Sequence, residues 1–393
     1  MKTSNPLPLL ILMVIFSPLA IDIYLPALPI MASELSVSLT QMQWSISAFI
    51  LSMGFGQLIS GPLADKYGRK PVAVMGMLIY GVSSLLAANA DNFEFLLAAR
   101  LLQGLGACAI VVAAFACVRD RYDALRSGMM YSYLNGAICC IPATAPILGN
   151  VLTEHFGWRS NFDFMTLYAG IAGVIIMFSL TESRPINTVV SKQLFSVKTY
   201  IAVLINPVFL FNSIIVMLSM SIILAYVTSS PAWLMMILGL DREAFVYWFS
   251  INAVLNIIGC VVAPRILVNW GARLTIGSGM VTLIGSGFLM LALRDWQDPM
   301  GFMLPIMLSS LGFSMLMGAC AGQALFSFGQ NAGTASAMLG FIQMSGSALV
   351  VFLLQMLPIS ATDQLSILML SFIPVYVLWK SAAIKKHIHA EPI

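Results

Sequence analysis

About twelve apolar windows recur along this chain, each near the ~20 residues a helix needs to cross a bilayer. Charged residues make up only 9% of the sequence and hydrophobic ones 60%, where a soluble domain carries ~25% charge. Such a chain folds in lipid. There every backbone polar group must be paired within the protein, so only helices or a closed barrel can span. The alternating short strands of a barrel are absent. The expectation is an all-α membrane protein of twelve transmembrane helices.

The net charge of +3 says little, but its distribution says more. With the amino terminus on the cytoplasmic side, fifteen of the nineteen Lys and Arg fall on that side. Three (Arg159, Arg242, Arg294) fall on the other, and Arg100 lies within a span. This positive-inside bias predicts that both termini are cytoplasmic. The first apolar stretch follows Lys2 but is too long for a signal peptide and shows no clear cleavage site. The six cysteines fit no metal spacing and the three histidines form no ligand set, so no cofactor or metal is expected. No paired acids, His-Glu-x-x-His or activated serine arrangement suggests an enzyme, and nothing suggests nucleic acid as a partner.

The longest polar stretch between spans divides the chain. Residues 1–182 are expected to form one six-helix bundle, 183–206 a cytoplasmic connector, and 207–393 a second six-helix bundle with a short tail. A faint repeat supports two related halves. Gly61-Pro-Leu-Ala-Asp-Lys-Tyr-Gly-Arg-Lys70 follows the second span, and Ala263-Pro-Arg-Ile-Leu-Val-Asn-Trp-Gly-Ala-Arg273 follows the eighth. Repeated bundles with a site between them are a common transporter plan.

Asp22 is the costliest residue in this scheme, a carboxylate within the first span. Acids at membrane depth usually face a polar cavity or a partner and often carry protons or ions. Pro26 lacks the amide that would bond the Asp22 carbonyl, and Pro18 does the same for Val14, so the helix is expected to open at the acid. At ~1.5 Å per residue, Asp22 lies about 22 Å from a start near Leu7. Arg100, on the oppositely directed fourth span, lies roughly 9 Å from a start near Glu94 by the same rise. In a core of ~30 Å the two reach the same level, where they can communicate directly or through water, Gln103 or Asn135.

Several stretches carry a resemblance. Residues 61–70 resemble the loop between the second and third helices of the major facilitator superfamily. Asp22-Ile-Tyr-Leu-Pro-Ala-Leu-Pro29, Arg100-Leu-Leu-Gln-Gly-Leu-Gly-Ala107 and Ala332-Gly-Thr-Ala-Ser-Ala-Met-Leu-Gly-Phe-Ile-Gln343 are similar to segments of its Bcr/CflA branch of drug:proton antiporters. Arg119-Asp120 and Phe156-Gly-Trp-Arg159 extend the likeness over essentially the full chain. Leu134–Gly149 corresponds to the antiporter motif of the fifth helix, with Gly136, Pro142, Pro146 and Gly149 in place. Ala145 stands where the broader family often has Gly, and Asn150 where it often has a second Gly. Small residues here also suit plain helix packing.

The resemblance implies the major facilitator fold and export of lipophilic drugs, amphenicols of the chloramphenicol type among them, in exchange for protons. Asp22 is then the proton-carrying acid and Arg100 the coupling residue. Gly61, Asp65, Gly68 and Arg69 form the cytoplasmic gate motif, the glycines relieving crowding in a tight turn. Tyr24, Asn135, Asn212, Tyr226 and Asn256 are candidate pocket residues, with Asn252 on the same face as Asn256. The implied setting is a bacterial inner membrane and the implied state a monomer in contact with lipid. An exporter of a native metabolite, such as an amino acid or sugar, and a transport-inactive sensor or scaffold are the alternatives on the same fold.

Overall fold

The computed structural model describes residues 6–122, 124–184, 197–326, 328 and 332–381. The chain divides into two compact units, Met1–Ser196 and Val197–Ile393. Among the described residues, eleven helices are long and apolar enough to span a membrane. One of these, Arg242–Leu293, is broken at Gly271, where φ is 75°, so there are twelve spanning segments. We number them α1 to α12.

In the first unit α1 covers Leu7–Glu34, and its interruptions follow its prolines. One helical stretch ends at Val14, and the next runs from Phe16 to Asp22. A single 3-10 turn, Leu25–Ala27, leads into Leu28–Glu34. The Ala27 amide bonds the Tyr24 carbonyl at 2.9 Å, three residues back rather than four. The expected opening at the acid is therefore present, and Asp22 is the last residue of its helical stretch.

The remaining spans of this unit are α2 (Leu39–Tyr67), α3 (Arg69–Ala88), α4 (Phe93–Arg121), α5 (Ala124–Phe156) and α6 (Arg159–Ser179). Local sequence sets their starts. Ser38 and Gln41 form a reciprocal capping box at α2, and Asn92 accepts the Phe95 amide at 2.8 Å to begin α4. α4 packs against both α2 and α3. Gly104 leaves room for the backbone of α2 at Phe49, and Gly106 for that of α3 at Tyr80, as small residues do between membrane helices.

The second unit begins with a short helix, Val197–Ile205, inside the stretch read as connector. Its spans are α7 (Pro207–Ile237), α8 and α9 (242–270 and 272–293), α10 (Pro299–Leu325), α11 (Ala332–Gln355) and α12 (Ala361–Lys380). α7 ends in a π-helical stretch, Ala232–Ile237, and α11 contains another at Ile342–Gly346. Tyr226, stacked 5.4 Å from Phe249, anchors an aromatic core that includes Phe302 and Trp233. Gly271 of the second unit and Gly68 of the first both turn the chain at positive φ, 75° and 107°, a region where L side chains are disfavoured. The two repeats thus make the same kind of turn.

Candidate functional site: a buried acid and arginine, and a charged turn

Around the break in α1, apolar packing surrounds a thin polar layer. Asp22 is 3% exposed, and among the described residues no cation lies within ion-pair distance of its carboxylate. Arg100, on α4, is fully buried. Its guanidinium carbon lies 4.9 Å from the Tyr24 ring centre and 4.5 Å from that of Phe49. Its Nε donates to the Ser45 carbonyl at 3.3 Å, and one terminal nitrogen donates to Gln103 Oε1. Among the described residues the other terminal nitrogen has no hydrogen-bond partner. Cation–ring contacts compensate part of the desolvation cost at such a site.

Two relays extend from this arginine. Gln103 Nε2 donates to Ser84 Oγ at 2.7 Å, and the Tyr24 hydroxyl pairs with Ser45 Oγ at 3.0 Å. Tyr24, which Arg100 contacts, is two residues from Asp22 in the chain, and that is the link the structure gives between the arginine and the acid. They do not form a direct ion pair. Of the two expected intermediaries, Gln103 bonds Arg100 but not Asp22, and Asn135 is exposed on α5.

α5 approaches the same break. At Gly149 a Cβ would occupy the position of the Ile23 carbonyl oxygen, so only glycine permits this contact. Gly136 differs, with no described atom within 4 Å of where its Cβ would sit. Pro146 is buried and Pro142 partly so. Among the described residues, close approach is thus a property of Gly149 and not of Gly136.

At one end of this unit the turn after α2 holds a compact charge cluster. Arg69, only 2% exposed, donates Nε to Asp120 at 2.7 Å and Nη1 to the Ala64 carbonyl at 2.7 Å. Nη1 also meets Asp65 at 2.8 Å. Asp120 is 6% exposed and Asp65 45%, so the arginine joins one sequestered acid to one wet one. Gly68 makes the turn. Gly61 lies within α2 with no described atom within 4 Å of a Cβ position, so it relieves no crowding there.

The other pocket candidates have partners of their own. Asn212 bonds its own helix at Val208, Asn252 accepts from Ser310 at 3.0 Å, and Asn256 accepts from Cys260. Tyr226 is buried in the aromatic core. Sequence reasoning did not single out Ser45, Phe49 or Glu182. The first two are ordinary span residues. Glu182 alone carried a signal, as an acid in a basic loop.

The chain matches the Major Facilitator Superfamily over residues 10–351. It is 33% identical over 355 residues to the multidrug resistance protein MdtL of Salmonella typhimurium, covering 90% of this chain and 88% of that one. It is 34% identical over 354 residues to MdtL of Salmonella paratyphi A, with the same coverage. In fold it is similar to a D-xylose-proton symporter (TM-score 0.76, 12% identity, 95% and 96% of the two chains). The human organic anion transporter MFSD10 is a further structural match (TM-score 0.69, 14% identity, 94% and 98%). The chain belongs to the Major Facilitator Superfamily.

Proposed function

We propose that this protein is a proton-coupled exporter of lipophilic drugs, chloramphenicol-like amphenicols among them, working by alternating access in a bacterial inner membrane. Both termini are cytoplasmic, and the monomer is the working unit. Similarity to MdtL over 90% of the chain supports drug export. The observation that carries the proton assignment is Asp22, a buried acid at the break of α1 with no cation partner among the described residues.

A neutral carboxyl can stay buried there, while a charged one needs water, a cation or a donor. Arg100 supplies a fixed positive charge on the ring of Tyr24, two residues along the chain from the acid. A lipophilic cation, or a neutral drug that displaces water, changes the cost of the charged form and so exchanges with the proton. Asp65 and Arg69 act as the cytoplasmic latch between cycles. Among the described residues the buried charged side chains are Asp22, Arg100 and the Arg69–Asp120 pair of the turn, which favours lipophilic cargo over amino acids or sugars.

The test is paired proton and drug flux in proteoliposomes, across a panel that includes amphenicols, amino acids and sugars. The native protein is expected to move protons only with lipophilic compounds, and Asp22→Asn to abolish gradient-driven export. Full export by Asp22→Asn would refute the assignment. Proton movement with sugars or amino acids alone would replace drug export by metabolite export.

A further inference from the structure

Just after α6, Thr181-Glu-Ser-Arg184 holds both ends of the turn that Gly68 makes. Glu182 Oε1 accepts the backbone amides of Arg69, Ser183 and Arg184, each at 2.9 Å, and Oε2 accepts that of Lys70 at 3.1 Å. α3 has glycine at its N-cap and no side-chain cap of its own, so an acid 113 residues away supplies one. Arg184 Nη1 donates to the carbonyl of Asp65 at 3.3 Å and to that of Lys66. These belong to the last turn of α2, where carbonyls lack helical partners. Anion at a helix start and cation at a helix end both suit the helix dipoles.

Neighbours hold the segment in place. Arg121 of α4 donates to Thr181 Oγ1 at 2.7 Å and to the Thr181 carbonyl, and Ser183 Oγ donates to Cys117 Sγ at 3.3 Å. At Gly68 the space a Cβ would fill is occupied by the Glu182 carboxylate. The glycine therefore serves the acid as well as the turn. Burial works to raise the Glu182 carboxyl, but the amides of Arg184, Arg69, Lys70 and Ser183 outweigh it and hold the group below its ordinary value.

We propose that Glu182 and Arg184 are positioning residues of the gate turn, stapling the segment after α6 to the end of α2 and the start of α3. The proposal rests on the reading of Asp65 and Arg69 as a gate. The turn cannot change shape without this segment moving too, so the entry to the connector is a working part of the latch.

Cys117, fully buried under Ser183, is a native reporter. Maleimide labelling of Cys117 in the purified full-length protein, followed by peptide-resolved mass spectrometry, measures release of the segment. The expected order of rates is wild type, then Glu182→Gln, then Glu182→Ala. Losing a hydrogen bond to a charged group makes Glu182→Ala roughly tenfold or more faster than wild type. Gly68→Ala should raise labelling as well, and combining it with Glu182→Ala should add less than the product of the two effects. Glu182→Gln, which keeps the shape of the side chain, should bind drug within about twofold of wild type yet export it more slowly.

Wild-type labelling in Glu182→Ala would overturn the staple, as would equal loss of binding and export in Glu182→Gln. If Asp22→Asn exported normally, the proton assignment would fall while the labelling order stood. The two readings can therefore fail separately.

Discussion

Removing Asp120 should cost far more stability than removing Asp65, although both bind the same arginine. Asp120 and Arg69 are 6% and 2% exposed, with Nε–Oδ2 at 2.7 Å and a second, longer contact of Nη2 with Oδ1 at 3.4 Å. Breaking a buried pair strands the surviving charge and costs about 3–5 kcal/mol. Arg69 would keep the Ala64 carbonyl and Asp65, so Asp120→Ala is expected near the lower limit, about 3 kcal/mol. At about 1.4 kcal/mol per tenfold, that is a roughly hundredfold shift in the unfolding equilibrium. Asp65 is 45% exposed, so water screens its pair, and Asp65→Ala should cost at most about 1 kcal/mol. Unfolding of purified protein in mixed micelles, followed by loss of helical circular dichroism, measures both. The same Asp65→Ala protein should nonetheless show impaired export. Equal destabilisation by the two substitutions, or Asp65→Ala as the worse one, would refute this account of the cluster.

Gly149→Ala should destabilise by about 1–3 kcal/mol, because an added methyl overpacks against the Ile23 carbonyl. Gly136→Ala should be neutral or mildly stabilising, and a thermal melt showing the two alike would contradict the packing described. Arg100→Lys keeps the charge but loses the planar contact with Tyr24 and Phe49. At about 2 kcal/mol for a desolvated cation–ring contact, proton-coupled export should fall roughly tenfold or more, and unchanged flux would exclude that role. Glu182 is depressed in the folded protein, so its stabilisation is present above the ordinary value of 4.5 and fades as pH falls through the lower folded value. The stability gap between wild type and Glu182→Gln should therefore close on acidification, and a gap that stays constant would count against the amide cage.

Some of this architecture was legible because its causes are local. A run of apolar residues specifies a span wherever it occurs in lipid, and Pro18 and Pro26 break α1 by removing amides at fixed offsets. Asp22 was conspicuous for the cost of its charge alone. Gly68 and Gly271 could be placed as turns from their repeated setting, whereas Gly61 of the same turn and Gly136 of the fifth-helix motif have no described atom near a Cβ position. A glycine in a sequence does not reveal whether anything approaches it. The π-helical stretches at Ala232–Ile237 and Ile342–Gly346 were not legible either. They depend on how the helix packs and not on a breaker residue alone.

By itself, then, the sequence determined the spans, the break at Asp22 and the resemblance that places the chain in its family. Hydropathy and missing amides act within one segment and need no partner. Tertiary structure alone decided that Arg100 packs on the rings of Tyr24 and Phe49, that Ile23 presses on Gly149, and that Glu182 caps a helix 113 residues away. Each of these depends on atoms brought together from distant positions in the chain, whose distances no local pattern encodes.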